Sequence, residues 1–137
     1  MSFRIAFIAA LCLPACPAMA APSIAGKWVT AGKDSVVEIA PCGTKLCGNV
    51  AKLLKPVPGG ASVDRNNPDA TLRTRPLVGL PILIGFRDTG TVWSGTIYDP
   101  RHGRTYRSLL ALNGDGSLKV QGCIAFFCQT QTWTKAQ

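Results

Sequence analysis

The sequence predicts an all-β domain built as an eight-stranded antiparallel up-and-down β-barrel. Short runs rich in β-branched and aromatic residues recur along the chain, and clusters of Gly, Pro, Asn and Asp separate them. No segment keeps a helical period over the length of an ordinary helix. A meander of short strands is favoured to close on itself because closure removes the exposed sheet edges. A β-sandwich is the alternative, since the strand pattern fits both.

The clearest element is a β-hairpin over residues 91–112. Pro100 pre-sets a turn and Gly103 supplies a positive φ, so Asp99 is predicted to pair with Arg104. The alternation of the two strands then predicts one core face and one solvent face. The core face carries Trp93, Gly95, Ile97, Tyr106, Ser108, Leu110 and Leu112, and the solvent face carries Val92, Ser94, Thr96, Tyr98, Thr105 and Arg107.

The other strands follow from alternation and from turn residues. Pro81 lacks a backbone N–H, so the fourth strand is predicted to begin at Ile82. A turn at residues 113–116 (NGDG) joins the hairpin to the seventh strand. Outside the hairpin, strands are predicted over residues 26–30, 35–40, 46–54, 82–86, 117–124 and 129–134.

Residues 1–20 have the pattern of a secretory signal peptide. Arg4 precedes an apolar run that is too short to span a bilayer, and residues 18–20 (AMA) form a cleavage signal. Cleavage would leave residues 21–137 as a single domain with no transmembrane span, exported to the periplasm or secreted. The alternative is a lipoprotein anchored at Cys16.

The charge balance is basic. The chain has 15 Lys and Arg against 7 Asp and Glu, a net charge of +8, which becomes +7 when Arg4 is removed with the signal peptide. Such a surface favours a small amphipathic or anionic ligand, although the charge also suits solubility alone. Nucleic acid is not an expected partner of an exported protein. The sequence does not indicate an oligomeric state.

Four cysteines remain outside the predicted signal peptide. In an oxidising compartment they imply two disulfides, for which three connectivities exist. A crossed pairing and a zinc site of four thiolates are less favoured, the latter because C-x-x-C motifs are absent. Spacing favours local pairs, Cys42 with Cys47 and Cys123 with Cys128.

The longest irregular segment is predicted over residues 55–76, with one helical turn near residues 69–73. Its polar cluster could offer oxygen ligands to calcium, but the spacing differs from that of an EF-hand. We favour Asx turns and a helix cap, and no metal site is predicted. The cluster consists of Asp64, Asn66, Asn67 and Asp69.

Two arginines beside this loop are candidate ligand contacts. Arg73 and Arg75 could meet an anionic headgroup at the mouth of a barrel. They could equally pair with Asp64 or Asp69 as surface structure, which usually contributes little to stability.

The sequence indicates no catalytic site and no cofactor. His102 is the only histidine and lies in a hairpin turn. The serines lack a second histidine, and the cysteines outside the signal peptide are expected to be oxidised.

Several motifs together resemble the domain of unknown function 2147 family of small exported bacterial proteins. The resemblance implies a lipocalin-like β-barrel and no established activity. Gly26-x-Trp28 is also similar to the opening motif of lipocalins, in which the Trp plugs the closed end beneath a late basic side chain, here Lys135. The motifs are residues 26–28, 37–43, 46–48, 64–69, 72–79, 93–95, 97–100, 103–106 and 131–133.

The leading functional hypothesis is that the barrel binds a small apolar or amphipathic ligand, with residues 55–76 at the entrance. An eight-stranded barrel can hold one small ligand or be filled by its own side chains. A filled barrel would instead suit an envelope adaptor that acts through its loops on a protein or cell-wall partner. The candidate ligand contacts are Arg73, Arg75, Trp93, Tyr98 and Tyr106.

Overall fold

The computed structural model describes residues 11–137, which form a closed eight-stranded antiparallel barrel. Each strand pairs with the next, and the last strand closes on the first through two residue pairs, Trp28–Lys135 and Val29–Thr134. The up-and-down barrel is therefore confirmed over the sandwich. The strands are β1 (Gly26–Val29), β2 (Ser35–Cys42), β3 (Lys45–Leu53), β4 (Pro81–Asp88), β5 (Trp93–Asp99), β6 (Arg104–Leu112), β7 (Leu118–Ile124) and β8 (Phe127–Lys135), with a 3₁₀ turn at Ala70–Leu72.

The first half of the predicted signal peptide, residues 1–10, lies outside the described residues. Residues 11–20 are exposed and belong to neither helix nor strand. In the described part of the chain, no helix has both the length and the apolar character needed to cross a membrane.

The predicted hairpin register is confirmed. Asp99 pairs with Arg104, and Trp93 pairs with Leu110. The prediction that Tyr98 lies on a solvent face is wrong, because this residue is only 7% exposed. The reason is tertiary, since the loop between β3 and β4 packs over this part of β5 and supplies a partner to the Tyr98 hydroxyl.

The barrel has two unlike ends. The turns at residues 43–44, 89–92 and 113–117 lie at one end, which we call the closed end, and the loops at residues 30–34, 54–80, 100–103 and 125–126 lie at the other, the open end. Large apolar side chains fill the closed end. They include Trp28, Val37, Ile39, Leu83, Phe86, Leu110 and Leu118.

Trp28 plugs the closed end as its resemblance to the lipocalin motif implies. Its side chain is 1% exposed, and its Nε1 donates a hydrogen bond to the carbonyl of Ile24 at 3.0 Å. Lys135 Nζ lies 5.3 Å from the centroid of the indole ring, within cation–π range. Lysine thus supplies the late basic side chain in this barrel.

The segment before β1 folds across the closed end. The backbone N–H of Ala21 donates to both carboxylate oxygens of Asp88, each at 3.0 Å. The carbonyl of Pro22 accepts a hydrogen bond from Trp93 Nε1 at 2.9 Å, and Ile24 is fully buried. Residues 21–25 therefore form part of the folded domain.

The cysteines form the two local pairs that their spacing favours, rather than the crossed pairing or a zinc site. Cys42–Cys47 joins β2 to β3 at the closed end, and Cys123–Cys128 joins β7 to β8 at the open end. Each bridge closes a short loop, so each constrains a turn more than it cross-links distant parts of the chain.

Candidate functional site

The open half of the barrel holds a cavity of about 600 Å³. One source of the space is Gly122 on β7, where an added Cβ would meet only Ile97 and Tyr106, at 3.9 and 4.0 Å. The absence of a side chain at this position therefore adds to the open space. Its apolar wall is formed by Val50, Leu53, Leu77, Ile82, Ile97, Tyr106, Val120 and Trp133.

A few polar side chains interrupt the apolar wall. Gln129 and Gln131 of β8 both line the cavity, and Trp133 at its floor donates from Nε1 to Gln131 Oε1 at 3.1 Å. Ligand pockets commonly combine an apolar lining with a small number of placed polar groups that orient the ligand. The glutamines can offer both a donor and an acceptor.

The rim of the cavity carries charges of both signs. Asp99 accepts hydrogen bonds from the backbone N–H of Arg101 at 3.0 Å and shares one with His102 Nδ1 at 2.7 Å. Burial acts to raise the pKa of Asp99, but the contacts with His102 and Arg101 outweigh it and hold the pKa below its ordinary value. Arg101 remains 69% exposed. The Asp99 carboxylate is thus already engaged, in part by Arg101 Nε at 3.4 Å, while the rest of the Arg101 guanidinium faces solvent.

The opposite side of the rim repeats this arrangement. Asp34 accepts hydrogen bonds from the Thr30 hydroxyl at 2.6 Å and from the Ser35 hydroxyl at 3.1 Å. Burial opposes ionisation, but these two bonds lower the pKa of Asp34 overall. Lys55 donates from Nζ to the carbonyl of Gly32 at 2.8 Å. Both rim carboxylates are therefore ionised at neutral pH and bonded to neighbours.

The long loop is attached to β5 by a buried polar cluster that we call the clasp, formed by Asp64, Asn67, Arg75 and Tyr98. Asp64 is fully buried and accepts hydrogen bonds from the Tyr98 hydroxyl at 2.7 Å, Asn67 Nδ2 at 2.8 Å and Arg75 Nη2 at 3.0 Å. Burial, and then the hydrogen bond to Asp64, raise the pKa of Tyr98 to about 12. The tyrosine therefore stays protonated and donates.

A second contact locks the same loop to the β5–β6 turn. Asn66 Nδ2 donates to the carbonyl of Arg101 at 2.8 Å. Gly103 has φ +62°, and a Cβ there would collide with the carbonyl oxygen of Asn66. Glycine is required at this position both for its backbone conformation and for the close approach of the loop.

The polar residues of the loop form the Asx turns and the helix cap that the sequence favours. Asp69 caps the 3₁₀ turn by accepting from the backbone N–H of Thr71 at 2.9 Å, and Asn67 Oδ1 accepts from the N–H of Asp69 at 2.8 Å. With Asp64 and Asn66 in the contacts above, all four residues are occupied by bonds within the protein.

The structure brings only part of the predicted ligand contacts to the cavity. Tyr106 lies in the cavity wall, and Tyr98 borders it while its hydroxyl points into the clasp. Trp93 lies at the closed end. Arg75 pairs with Asp64, and Arg73 Nε donates to the carbonyl of Asn67 at 2.8 Å, so neither arginine lines the cavity.

Sequence reasoning missed the contribution of β7 and β8 to the cavity. On β7, Gly122 faces inward like Val120, and on β8, Gln131 faces inward like Trp133. The pairings Val120–Gln131 and Gly122–Gln129 place these positions side by side. Glycine and glutamine at inward positions of a β-strand were a readable signal of an unfilled, partly polar interior.

A closed antiparallel barrel of eight strands, with a tryptophan plug at one end and a cavity at the other, defines the lipocalin-like class. Residues 26–135 match the family described as "Uncharacterized protein conserved in bacteria (DUF2147)". The chain belongs to this family.

One solved structure with the same fold is HP1028 from Helicobacter pylori, described as belonging to the lipocalin family. It superposes with a TM-score of 0.73 and is 22% identical, with 84% of each chain covered. At this identity the likeness shows the fold alone. A search of curated proteins finds no match.

Proposed function

We propose that this protein binds one small amphipathic molecule, with the apolar part in the cavity and an anionic head group at the rim. The observation that carries the proposal is the cavity itself. Its volume of about 600 Å³ falls within the range of about 300–1,000 Å³ typical of ligand pockets. The adaptor hypothesis supposes a barrel filled by side chains, so the cavity favours ligand binding.

The charges at the rim support an anionic head group. Asp34 and Asp99 are satisfied by neighbouring donors, and Arg101 is one of them, since its Nε lies 3.4 Å from Asp99 Oδ1. The Arg101 side chain is nevertheless 69% exposed, so its terminal nitrogens can contact a ligand at the rim. Guanidinium groups bind carboxylates and phosphates through paired hydrogen bonds. The net charge of +8 also raises the local concentration of anions.

Blocking the cavity tests the proposal. Gly122→Leu would fill the space beside Ile97 and Tyr106, whereas Gly114, in the closed-end turn, has no atom within 4 Å of an added Cβ. Gly114→Leu is therefore a matched control. We expect Gly122→Leu to weaken binding at least about tenfold and Gly114→Leu to leave it unchanged.

Binding is measured by native mass spectrometry and by tryptophan fluorescence across fatty acids, phospholipids and apolar compounds without charge. Trp133 at the cavity floor is the expected reporter, so Trp133→Phe should remove the spectral change. An empty protein that responds to no compound would reject the proposal. Equal binding by Gly122→Leu would place the ligand elsewhere.

We further propose that the protein works outside the cytoplasm, in the periplasm or as a secreted protein, after cleavage between Ala20 and Ala21. Two disulfides support an oxidising compartment. The contact between Ala21 and Asp88 supports the cleavage position, because cleavage would turn the Ala21 N–H into an ammonium group 3.0 Å from both carboxylate oxygens. N-terminal sequencing of the exported protein should begin at Ala21. A lipid on Cys16 or a different first residue would reject this cleavage site.

A further inference from the structure

We propose that the turn between β7 and β8 inserts into an anionic lipid surface and holds the open end of the barrel against it. The turn and its flanking residues, 124–127, are called here the hairpin tip. The inference goes beyond the proposed ligand binding, since attachment to a membrane can be measured whether or not the cavity is occupied.

The hairpin tip exposes three large apolar side chains side by side. Phe126 is 100% exposed, Phe127 84% and Ile124 63%. Single exposed apolar residues are ordinary, but a contiguous group on a projecting turn indicates a surface that is covered in use. No polar side chain separates the three.

The backbone holds this group in a fixed, projecting form. Ala125 has φ +50°, a left-handed conformation that L-residues with a Cβ rarely adopt. The disulfide Cys123–Cys128 joins the two strands immediately behind the turn. Strained backbone at such a site persists only when the surroundings enforce it, and functional sites are enriched in it. The backbone of the hairpin tip therefore needs little further ordering when it binds.

Arginines flank the hairpin tip on its β6 side. Arg107 on β6 pairs with Cys123 on β7, and its guanidinium donates to the carbonyl of Ala125 at 3.5 Å. Arg104 is exposed on the same strand, and Arg101 is exposed at the neighbouring turn. An apolar wedge flanked on its β6 side by guanidinium groups complements a bilayer whose phosphates lie just above its acyl chains.

The apolar surface of the hairpin tip continues into the cavity. Ile124 and Phe127 both line the cavity wall while remaining largely exposed. Insertion of the tip would therefore set the cavity mouth at the level of the lipid head groups. A narrow convex turn fits a deformable lipid surface better than the broad, closely packed area of a typical protein interface.

Co-sedimentation of the chain beginning at Ala21 with lipid vesicles tests the proposal. We compare vesicles of phosphatidylcholine with vesicles of an equimolar phosphatidylcholine and phosphatidylglycerol mixture, and expect binding to the second. Phe126→Ser should weaken binding about tenfold, because it removes the fully exposed aromatic ring. Val78→Ser, at an apolar residue that is 52% exposed in the β3–β4 loop, is the matched control and should bind like the wild type.

The contribution of the flanking arginines is tested separately. Arg107→Gln should weaken binding to the anionic vesicles about fivefold and reduce its sensitivity to salt. Lys27→Gln removes an exposed charge on β1, away from the tip, and should have less effect. Circular dichroism confirms that each variant is folded. Gly122→Leu should bind vesicles like the wild type, so failure of ligand binding and failure of membrane binding are distinguishable.

Three outcomes would overturn the proposal. The first is an absence of binding to anionic vesicles at low salt. The second is equal vesicle binding by the wild type and Phe126→Ser. The third is a dimer in solution that Phe126→Ser converts to a monomer, which would assign the hairpin tip to self-association.

Discussion

The two halves of the barrel share the same strands but differ in what fills them. At the closed end, Trp28, Phe86 and Leu118 are less than 2% exposed and interdigitate. At the open end, the inward positions carry Gly122 and two glutamines, and a cavity remains. Strand pairing sets the shape of the wall, whereas side-chain volume at inward positions decides whether the interior is packed core or an open cavity.

The two halves are also held by different interactions. The closed end depends on buried apolar area and on residues 21–25, which cover it. The open end depends on the polar clasp and on the Cys123–Cys128 bridge. Substitutions at the closed end should therefore act mainly on global stability, whereas substitutions at the open end should act on loop order and binding.

Trp28→Ala should have the largest effect, a loss of about 4 kcal/mol in the free energy of unfolding, because it leaves a large void under Lys135 and frees the carbonyl of Ile24. Urea denaturation measures it. Trp28→Phe keeps most of the volume and should cost clearly less. A loss below about 1 kcal/mol for the alanine variant would contradict the role of Trp28 as the plug.

Asp64→Ala should have the second largest effect, a loss of about 3–4 kcal/mol in the free energy of unfolding. The substitution leaves Tyr98, Asn67 and Arg75 without their shared buried acceptor. Hydrogen exchange should accelerate in residues 55–76 before the closed end is affected. Asp115→Ala removes a carboxylate from an exposed closed-end turn and serves as the control. Equal exchange in the two variants would show that the clasp does not hold the loop.

Alkaline pH should release the clasp. The folded protein raises the pKa of Tyr98 from 10.0 to about 12, so it favours the protonated phenol. The contribution of this pKa shift to the free energy of unfolding is complete below pH 10. It is lost as pH rises from 10 to about 12, a change of up to about 3 kcal/mol. Unfolding free energies measured across this range should fall less steeply for Tyr98→Phe than for the wild type. Parallel curves would contradict the pKa shift.

Removing either disulfide should cost about 2 kcal/mol or less, since each closes a loop with a sequence separation of 5. The two losses are expected to be similar in denaturation, but their functional effects should differ. The double variant Cys123→Ser/Cys128→Ser should reduce vesicle binding, and Cys42→Ser/Cys47→Ser should not. A reduction by both pairs would remove the distinction between the two ends.

Asp88→Asn should have the smallest effect, under about 1 kcal/mol, because Asp88 is exposed and its pairing with the Ala21 amine is partly screened by water. The loss should be larger in a chain that begins at Ala21 than in one that retains residues 11–20. Thermal unfolding at low salt compares the four proteins. Identical losses would argue against an ammonium–carboxylate pair at the closed end.

The sequence predicted what depends on local pattern. Strand ends fall within two residues of the predicted ones, because alternation and turn residues are local signals. The pairing of Asp99 with Arg104 followed from turn chemistry, and the disulfides followed from short spacing. The strand pattern fitted both a barrel and a sandwich, and the barrel was favoured because closure removes the exposed sheet edges.

The site depended on contacts that local pattern does not report. Tyr98 is buried by Asp64, which lies 34 positions earlier in the chain, so its burial could not be read from the alternation of β5. For Arg75 the sequence left a place at the barrel mouth and a pair with Asp64 equally open, because charge alone does not reveal which partner is near. Whether the barrel was hollow depended on the summed volume of inward side chains from several strands, which requires the register of all of them.

The seam between β1 and β8 is the shortest pairing in the wall. It has two residue pairs, whereas β2 and β3 share eight. On heating, this seam is the place where the cylinder would part first, leaving one backbone edge of β1 and one of β8 unpaired. Two molecules opened in this way could exchange their first strands, so storage of concentrated, warmed protein should produce interlocked dimers before it produces unfolded chains.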